Sequence, residues 1–365
     1  MREEGYVVRA RARVPRMGAA LRDHMLEAIR LAGAEHPHPN PRVGALVLDR
    51  SGEVVGRGAH VAAGEDHAEF IALAEAGERA VGGSLIVTLE PCSHHGRTPP
   101  CTEAILRSGI RRVIVGAGDP DERVSGGGIR RLREAGLEVV TDFAPAEVHR
   151  LDPGYFHHRR TGRPLVTLKM ASTLDGQSAA ADGSSRWITG AEAREDAHSL
   201  RAASDAIMVG AGTVLADDPR LTVRLDGHSG RQPRPVVVAG SGPLRRSAAV
   251  FSRDPIVYAP APVDLPGEVV VVPGSDGVDL AAVIADLGKR DVIDLLCEGG
   301  PTLAGGLLRA GLVDRLTLYL AGSLAIGVGR PVLGGVFATI EDLRRVSITA
   351  VRLLGPDLRV DAEVG

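Results

Sequence analysis

The segment Ser84-Leu85-Ile86-Val87-Thr88-Leu89-Glu90-Pro91-Cys92 runs from an apolar stretch directly into a Pro-Cys pair. A short apolar run of this kind is typical of a buried strand. Cys101 then opens the stretch 102–108, and His67 precedes 68–76; both stretches have the apolar spacing of helices. Strand and helix patterns therefore alternate along the chain, which predicts an α/β fold.

His67, Cys92 and Cys101 offer one nitrogen and two sulfur ligands to a metal ion. Such a set can hold zinc and leave its fourth position open, which distinguishes a catalytic zinc from a structural one. Glu69 could move protons beside the metal without binding it. Cys101 opens a helix, whose N-terminus favours a thiolate. The residues predict zinc-dependent hydrolysis of an amino group on a nucleobase-like ring.

Other interpretations of these residues stay open at this point. The eight residues between Cys92 and Cys101 exceed the two of the general deaminase signature. His94 or His95 could replace His67 as the nitrogen ligand. The cysteines could form a structural zinc clip, which would need a fourth ligand. They could also be buried thiols that bind nothing.

The composition excludes several classes of protein. The 365 residues are enough for two domains, and 44% hydrophobic residues support full cores. Aromatic residues make up only 3% and the net charge is -3, so the chain offers no basis for binding nucleic acid or membranes. Three cysteines form no disulfide framework, which indicates a reducing, cytoplasmic location.

Composition and periodicity divide the chain into four parts. We expect a disordered extension at 1–16, a first domain at 17–147, a polar linker at 148–163 and a second domain at 164–365. The first domain is predicted to have helices at 18–32, 67–76, 101–108 and 127–135, and strands at 43–49, 54–61, 84–90, 111–116 and 137–141. The second is predicted to have helices at 190–203, 278–288 and 301–310, strands at 165–169, 205–210, 235–239, 255–259, 268–272, 292–297 and 315–321, and a final hairpin of 345–352 with 357–363.

Two features of the second domain indicate chemistry. Glu298-Gly299-Gly300 stands between an apolar strand and a helix, where it could cradle a phosphate or simply form a tight packing turn. The dinucleotide-binding pattern Gly-x-Gly-x-x-Gly is absent from this position. Lys169 is one of only two lysines in the chain, which indicates a place where a compact ammonium is needed.

Both halves together resemble the bifunctional deaminase/reductase family of riboflavin biosynthesis, from about Met17 to the C-terminus. In the first half the resemblance lies in His38-Pro39-Asn40-Pro41-Arg42-Val43-Gly44, His67-Ala68-Glu69 and the string from Leu89 to Cys101 with its long inter-cysteine loop. In the second half it lies in Lys169-Met170-Ala171-Ser172-Thr173-Leu174-Asp175-Gly176, Ser185-Arg186-Trp187-Ile188-Thr189, Gly212-Thr213-Val214-Leu215-Ala216-Asp217-Asp218-Pro219 and Glu298-Gly299-Gly300-Pro301-Thr302-Leu303.

The resemblance implies a cytidine-deaminase-like α/β/α domain followed by a dihydrofolate-reductase-like α/β domain. It implies zinc-dependent deamination of 2,5-diamino-6-(5-phosphoribosylamino)pyrimidin-4(3H)-one, then NADPH-dependent reduction of the ribosyl chain to ribityl. The expected partners are this small phosphorylated pyrimidine and a second copy of the chain, bound through the reductase domain. The alternative is a deaminase whose second domain has degenerated and serves binding or dimerisation; a third is a zinc-stabilised interaction protein without catalysis.

The resemblance also implies roles for individual residues. Zinc would be held by His67, Cys92 and Cys101, with Glu69 and Lys169 as the catalytic residues. The residues expected to bind NADPH are Ala171, Trp187, Thr213, Asp217, Gly300, Pro301, Thr302, Leu303, Ala304, Gly305 and Gly306. The residues expected to bind substrate are Asn40, His60, Arg97 and Asp119 in the first domain and Ser185, Arg201, Leu221, Arg224 and Glu298 in the second.

Three positions depart from the family pattern. Asp121 stands where the family usually has Asn, Gly322-Ser323 where it usually has Pro-Lys, and Ala239-Gly240 where an Asp-Ser or Asp-Gly pair is familiar. These departures affect the reductase assignment more than the deaminase assignment.

Overall fold

The structure is a computed structural model that describes residues 16–94, 99–240, 242–275, 277–335 and 338–365. The chain forms two compact units, and the boundary between them falls between Asp152 and Pro153. The extension expected at 1–16 lies almost entirely outside the described residues, which begin at Arg16 in the first helix.

The first unit alternates helices and strands after an opening hairpin. Its elements are α1 (Arg16–Gly33), β1 (Gly44–Leu48), β2 (Val54–Ala59), α2 (Ala68–Ala76), β3 (Ser84–Leu89), α3 (Cys101–Arg107), β4 (Arg112–Ala117), α4 (Gly127–Glu134), β5 (Glu138–Val140) and α5 (Pro145–Leu151). The strands form one sheet in the order β2-β1-β3-β4-β5. β1 is antiparallel to β2 and β3, whereas β3, β4 and β5 are parallel.

Alternate residues of these strands face opposite layers of helices, as period-2 side chains must. Leu46 and Ile86 pack in one cluster with Met25 of α1. Val47 and Val87 pack in the other, with residues of α2, α3 and α4. The helices approach the sheet closely at glycines: a Cβ on Gly44 would lie 2.0 Å from the Ala28 carbonyl oxygen of α1. The result is an α/β/α sandwich.

The second unit also alternates and ends in an antiparallel hairpin. Its elements are α6 (Pro153–Thr161), β6 (Leu165–Thr173), β7 (Gln177–Ala179), α7 (Ala191–Ala202), β8 (Ala206–Gly210), α8 (Ala211–Asp217), β9 (Arg234–Val238), β10 (Ile256–Ala259), β11 (Glu268–Val271), β12 (Pro273–Gly274), β13 (Gly277–Val278), α9 (Leu280–Lys289), β14 (Asp294–Cys297), α10 (Pro301–Arg309), β15 (Arg315–Ala321), β16 (Arg330–Pro331), β17 (Val346–Leu354) and β18 (Asp357–Val364).

Nine of these strands form one sheet in the order β11-β10-β9-β8-β14-β6-β15-β18-β17. The strands from β11 to β15 in this order are parallel, and the hairpin of β17 and β18 is antiparallel. One face of the sheet packs on α9 and α10 through residues such as Leu168, Leu287 and Leu307. The other packs on α7 and α8 through residues such as Ile207 and Val214.

The structure differs from the sequence prediction in several places. Residues 148–163, expected to be a polar linker, lie mostly in α5, which belongs to the first unit, and in α6, which belongs to the second unit and in which Tyr155 and Phe156 are buried. Pattern reasoning also missed α8, a helix in which Val214 is the only buried residue and which therefore has little apolar periodicity. Among the described residues, no helix is both long enough and apolar enough to cross a membrane.

Glu90 ties the end of β3 to the start of α4. Its buried carboxylate accepts hydrogen bonds from the backbone amides of Gly126, Gly128 and Ile129 at 3.0, 3.0 and 3.1 Å. These amides are at the N-terminus of α4, where a negative charge is stabilising.

We therefore expect Glu90→Ala to lower the free energy of unfolding of the first unit by about 2–3 kcal/mol, because it leaves buried amides without an acceptor. Glu122→Ala is the matched control, since Glu122 is exposed, and it should change that free energy by less than about 0.5 kcal/mol. Urea unfolding followed by circular dichroism measures both. Equal effects of the two substitutions would show that the Glu90 contacts do not stabilise the fold.

Candidate functional site

Five predicted residues of the first unit leave the sheet at the same edge. β1 begins where its antiparallel neighbours β2 and β3 end, and β4 ends beside β3, with Leu89 paired to Ala117. Asn40 precedes β1; His60 and His67 follow β2, Cys92 follows β3 and Asp119 follows β4. Strand direction alone therefore brings these side chains to one edge.

His67, Cys92 and Cys101 converge on one point. Nδ1 of His67 lies 3.0 Å from Sγ of Cys101 and 3.7 Å from Sγ of Cys92, and the two sulfur atoms are 3.4 Å apart. His67 is the N-cap of α2, and Cys101 is the first residue of α3. In the part of the chain that the structure describes, no further His, Cys, Asp or Glu joins this group, so the four-ligand structural clip is not supported.

The other candidate nitrogen ligands are not part of this group. His94 is exposed and lies outside the cluster, and His95 lies outside the described residues. One nitrogen and two sulfurs within 4.8 Å of one another are a donor set that zinc prefers. The three side chains therefore fit a zinc ion with one open position.

The contact between the two sulfurs shifts the pKa values of the two thiols in opposite directions. The hydrogen bond from Cys101 lowers the pKa of the Cys92 thiol to about 4, with a further contribution from His67. The same bond and burial raise the pKa of the Cys101 thiol. A zinc ion bound by this group would need both sulfurs as thiolates.

Glu69 follows His67 by two residues, lies on the first turn of α2 and is buried. Burial raises the pKa of its carboxyl, and the neighbouring His67 offsets part of that rise. It stands next to the ligands without being one of the three clustered residues. A carboxyl in this position can exchange a proton with a group bound at the open side.

Asn40 and His60 form a hydrogen-bonded pair next to the cluster. Nδ2 of Asn40 lies 2.9 Å from Nε2 of His60, whose Nδ1 lies 3.1 Å from the Asp66 carbonyl oxygen. The His60 ring packs edge-on against His67, with 5.1 Å between the ring centroids. Burial lowers the pKa of His60. The structure thus brings both predicted substrate residues to the predicted metal ligands.

Asp119 is also buried and accepts the backbone N–H of Asp121 at 2.9 Å. Asp121, one of the departures from the family pattern, is held by Arg123, which donates Nη2 to Oδ2 at 2.5 Å. Its carboxylate is therefore engaged within its own loop. Arg97, predicted to bind phosphate, lies outside the described residues.

In the second unit the predicted residues Arg201 and Glu298 form a partly buried ion pair. Arg201 on α7 donates Nε and Nη2 to the two carboxylate oxygens of Glu298 at 2.6 and 2.8 Å. Burial alone would raise the pKa of Glu298, but Arg201, followed by Lys169, lowers it overall. The planar, two-bond geometry fixes the carboxylate in one orientation.

His198, which the sequence analysis did not single out, lies beside this pair. Its Nδ1 accepts the backbone N–H of Arg224 at 3.2 Å. Burial and the charges of Arg201 and Arg224 lower the pKa of His198 to about 4. The spacing of His198 and Arg201 on one helix face was the available sequence signal. Leu221, also predicted, is buried in the core next to this segment.

Two helix N-termini lie side by side at the predicted cofactor positions. Glu298 follows β14 and donates its N–H to the Met208 carbonyl of neighbouring β8 at 3.0 Å. The hydroxyl of Thr213 in α8 accepts the N–H of Gly300, the N-cap of α10, at 3.1 Å. The Gly300 amide and this hydroxyl form a candidate phosphate cradle, and a Cβ on Gly300 would lie at an ordinary contact distance of 3.5 Å from the hydroxyl. Backbone amides at such a place suit a phosphate.

The residues from Pro301 to Gly306, which the sequence placed in a helix at 301–310, form the first turns of α10. Leu303 and Ala304 pack into the core, and Gly305 is buried against the carbonyl of Gly334. Only the backbone of the first turn and Thr302, which is exposed, therefore face away from the core.

Ser185 and Trp187 line an open cleft of about 400 Å³ between the segments 173–188 and 325–329. The Trp187 side chain is exposed, and Arg194 stacks over its ring at 4.7 Å. Asp217 contributes its carbonyl oxygen to Arg186 at 2.8 Å. Ala171 lies on β6, two residues after Lys169.

Two departures from the family pattern have structural settings. Ala239 is buried in the core that also contains Val237 and Val257, so no carboxylate is available there. Gly322 approaches the backbone closely: a Cβ would lie 2.8 Å from the Pro356 carbonyl oxygen, where a larger residue would require a shift.

Comparisons with known proteins agree with both units. Residues 164–358 match the RibD C-terminal domain, and residues 19–117 match the cytidine and deoxycytidylate deaminase zinc-binding region. The riboflavin biosynthesis protein RibD of Escherichia coli (strain K12) is 40% identical over 359 residues, covering 92% of this chain and 97% of that protein. RibD of Aquifex aeolicus is 39% identical, covering 88% and 92%.

Solved structures give the same result. Form 1 of Acinetobacter baumannii RibD superimposes with a TM-score of 0.88 at 34% identity, covering 95% of this chain and 99% of that chain. A diaminohydroxyphosphoribosylaminopyrimidine deaminase/5-amino-6-(5-phosphoribosylamino)uracil reductase from Thermotoga maritima gives 0.86 at 33%, covering 96% and 100%. The predicted pairing of a cytidine-deaminase-like domain with a reductase domain of dihydrofolate-reductase-like fold is confirmed, and the chain belongs to the RibD family of bifunctional deaminase/reductases of riboflavin biosynthesis.

Proposed function

We propose that the first unit deaminates 2,5-diamino-6-(5-phosphoribosylamino)pyrimidin-4(3H)-one and that the second unit uses NADPH to reduce the ribosyl chain of the aminouracil product to ribityl. The observation that carries the proposal is the cluster of His67, Cys92 and Cys101 with Glu69 buried beside it. The relatives named after both reactions support the choice of substrate. The chain carries no basic stripe or membrane-spanning helix among its described residues that would favour another kind of partner.

In the deaminase site, zinc would be held by His67, Cys92 and Cys101. A zinc ion with this donor set lowers the pKa of a bound water molecule toward about 7. The Glu69 carboxyl takes one proton from the attacking water and passes it to the ring nitrogen, then takes a second proton from the newly added hydroxyl and passes it to the departing amine. Asn40 and His60, hydrogen-bonded to each other, orient the pyrimidine ring, and Asp119 lines the same edge.

Arg97 is the proposed phosphate ligand, because its fork can donate to two phosphate oxygens at once. This role rests on the resemblance to the family.

In the reductase site, NADPH supplies the hydride. The Gly300 cradle and the hydroxyl of Thr213 would hold a phosphate of the cofactor, together with the first turn of α10. Ala171, Trp187 and Asp217 complete the proposed cofactor side. The substrate side consists of Ser185, Leu221, Arg224 and the Arg201–Glu298 pair, with Lys169 as the cation that stabilises developing negative charge. This intact charge cluster supports an active reductase over a degenerate second domain.

We also propose a cytoplasmic homodimer formed through the reductase domain. Cys92 and Cys101 are assigned to the proposed zinc site, which needs reduced sulfurs and so fits a reducing compartment. β17 lies at the edge of the nine-stranded sheet and is exposed over most of its length. An uncovered strand edge with apolar side chains is a ready surface for pairing.

A bulge in β17 gathers its apolar side chains on one face. The register shifts between Ile348 and Ala350, so that Ile348 pairs with Ala362 and Leu353 with Leu358. Residues an even number apart on β18 share a face, so both side chains point to the same side of the sheet. Ile348 and Leu353 are 64% and 75% exposed, which makes this face the proposed dimer contact.

We expect Glu69→Gln to retain zinc and lose deamination, because the substitution preserves volume but removes the proton carrier. The rate should fall by about 10²- to 10⁴-fold, the usual contribution of a general acid–base. Metal content and ammonia release are measured on the same preparation, with Glu78→Gln, an exposed glutamate after the same helix, as the control. Loss of zinc would identify Glu69 as a ligand, and surviving ammonia release would exclude it as the proton carrier.

Lys169→Arg should impair reduction although the charge is kept, because the guanidinium is wider and directs its donors in a plane. Misplacement by about an ångström can cost about 100-fold in rate. The measurement is NADPH oxidation with the deaminated intermediate as substrate. Lys289→Arg, at the other and exposed lysine, should oxidise NADPH at the wild-type rate. Wild-type reduction by Lys169→Arg would show that no compact ammonium is needed.

The double substitution Ile348→Asp, Leu353→Asp should convert the dimer to a monomer, because it buries two unpaired charges in the proposed contact. Analytical ultracentrifugation measures the mass. The control is Ser347→Asp, an exposed position on the same strand whose side chain points to the opposite face from Ile348. A wild-type mass for the double variant would place the subunit contact elsewhere or indicate a monomeric protein.

A further inference from the structure

A row of polar side chains crosses the second sheet on the face that carries Lys169. In the register of β6, β15 and β18, Thr317 pairs with Lys169 and Asp361, and Tyr319 pairs with Ala171 and Arg359. Residues paired in register, or two apart on a strand, share one face. Thr317, Tyr319, Arg359 and Asp361 therefore lie next to the proposed reductase site, and none of them has a proposed role so far.

Lys169 lies over the ring of Tyr319. Its Nζ is 5.6 Å from the ring centroid, within the range of a cation–π contact. The Tyr319 side chain is 1% exposed, so little water competes for the ammonium on that side. The contact favours one position of a long, flexible side chain that has several rotamers of similar energy.

The ring itself is fixed from its far end. The Tyr319 hydroxyl donates to Oδ2 of Asp196 on α7 at 2.6 Å, and Nη1 of Arg359 donates to the same oxygen at 2.6 Å. Arg359 is in turn held by Asp361, to whose Oδ1 its Nη2 donates at 2.8 Å. A helix and two strands thus determine where the ring face points.

Tyr319 remains a neutral phenol in this setting. Burial and the hydrogen bond to Asp196 raise its pKa far above the ordinary value for tyrosine. Its proton is committed to Asp196, so the residue is not available as an acid for the reaction. What it offers to Lys169 is a rigid, negatively polarised ring face.

From this geometry we infer that Tyr319 is a positioning residue for reduction: its ring, anchored by Asp196, holds the Lys169 ammonium at the reacting centre. The inference rests on the proposed role of Lys169 in the reductase. Ala171, the proposed cofactor contact, pairs in register with Tyr319, so the ring lies at the level of the sheet where the ammonium and the cofactor would meet.

The same unit contains a matched control. Tyr258 on β10 is fully buried, donates its hydroxyl to Asp286 at 2.7 Å, and Asp286 is bound by Arg290 at 2.5 Å. This triad has the chemistry of Tyr319, Asp196 and Arg359, but β10 is separated from β6 by three strands. Corresponding substitutions at Tyr258 and Tyr319 therefore remove similar packing and similar hydrogen bonds, and only one of them removes the ring next to Lys169.

The two-lysine composition allows a direct measurement of position. In full-length protein labelled with ¹³C-lysine, the side-chain signals come from Lys169 and Lys289 alone. We expect the Lys169 ε-carbon protons to be shifted upfield by the Tyr319 ring, and this shift to vanish in Tyr319→Leu, to persist in Tyr319→Phe and to be unchanged in Tyr258→Leu. An unchanged Lys169 signal in Tyr319→Leu overturns the inference.

The kinetic measurement tests the consequence. With NADPH and the deaminated intermediate, Tyr319→Leu should lower the kcat of reduction by about 3- to 30-fold, the range of a desolvated cation–π contact. Tyr319→Phe should restore most of the rate, and Tyr258→Leu should reduce at the wild-type rate per folded molecule, with folding checked by thermal melting.

The Lys169→Arg variant separates the two ways in which the inference can fail. If Lys169→Arg impairs reduction and Tyr319→Leu does not, the positioning role is overturned while the proposed function stands. If neither substitution impairs reduction although the lysine signal moves, the proposed role of Lys169 is wrong and the inference fails with it.

Discussion

Strand direction is the constraint on which the deaminase site depends. β1 runs against β2 and β3, and β4 runs with β3, so one strand start and three strand ends meet at a single edge. The residues next to these strand ends, such as Asn40, His60 and Cys92, are therefore placed at that edge. The buried strands and the helices packed on them fix the position of this edge. Gly44, for example, allows β1 to lie close to α1. The proposed zinc ligands are thus brought together by the core rather than by contacts among themselves.

The second unit holds several charged side chains close together in partly buried positions. Glu298 and Arg201 satisfy each other through two hydrogen bonds, and Tyr319, Asp196 and Arg359 satisfy one another on the neighbouring strands. A buried charge without a partner would be costly. Pairing makes such a cluster tolerable and also rigid, which suits a site where the cofactor supplies the chemistry and the protein supplies orientation.

The two faces of the terminal hairpin show how one sheet serves two purposes. On one face, Arg359 and Asp361 extend the polar row toward Lys169. On the other, Ile348 and Leu353 present apolar surface at the sheet edge. The bulge after Ile348 keeps these apolar side chains together, because without it the strand would alternate them to the polar side. The register of β17 on β18 therefore keeps the polar row and the proposed subunit contact on opposite faces of the sheet.

Much of the deaminase site could be predicted from the sequence, because its residues lie directly at the ends of strongly patterned elements. His67, Cys92, Cys101 and Glu69 were identified with their helices and strands, and the spacing of the two cysteines pointed to the family. The short distance between the two sulfurs could not be predicted in the same way, because local sequence carries no information on it.

The sequence by itself determined the alternation of strands and helices, the proposed metal ligands and the glycines of the proposed phosphate cradle, because each follows from residues close together along the chain. Only the tertiary structure decided that residues 148–163 are helical, that Leu303 and Ala304 belong to the core, and that Tyr319 joins Asp196 and Arg359 beside Lys169. The physical reason is sequence separation: these contacts depend on sheet order and register across more than a hundred residues, which no local pattern encodes.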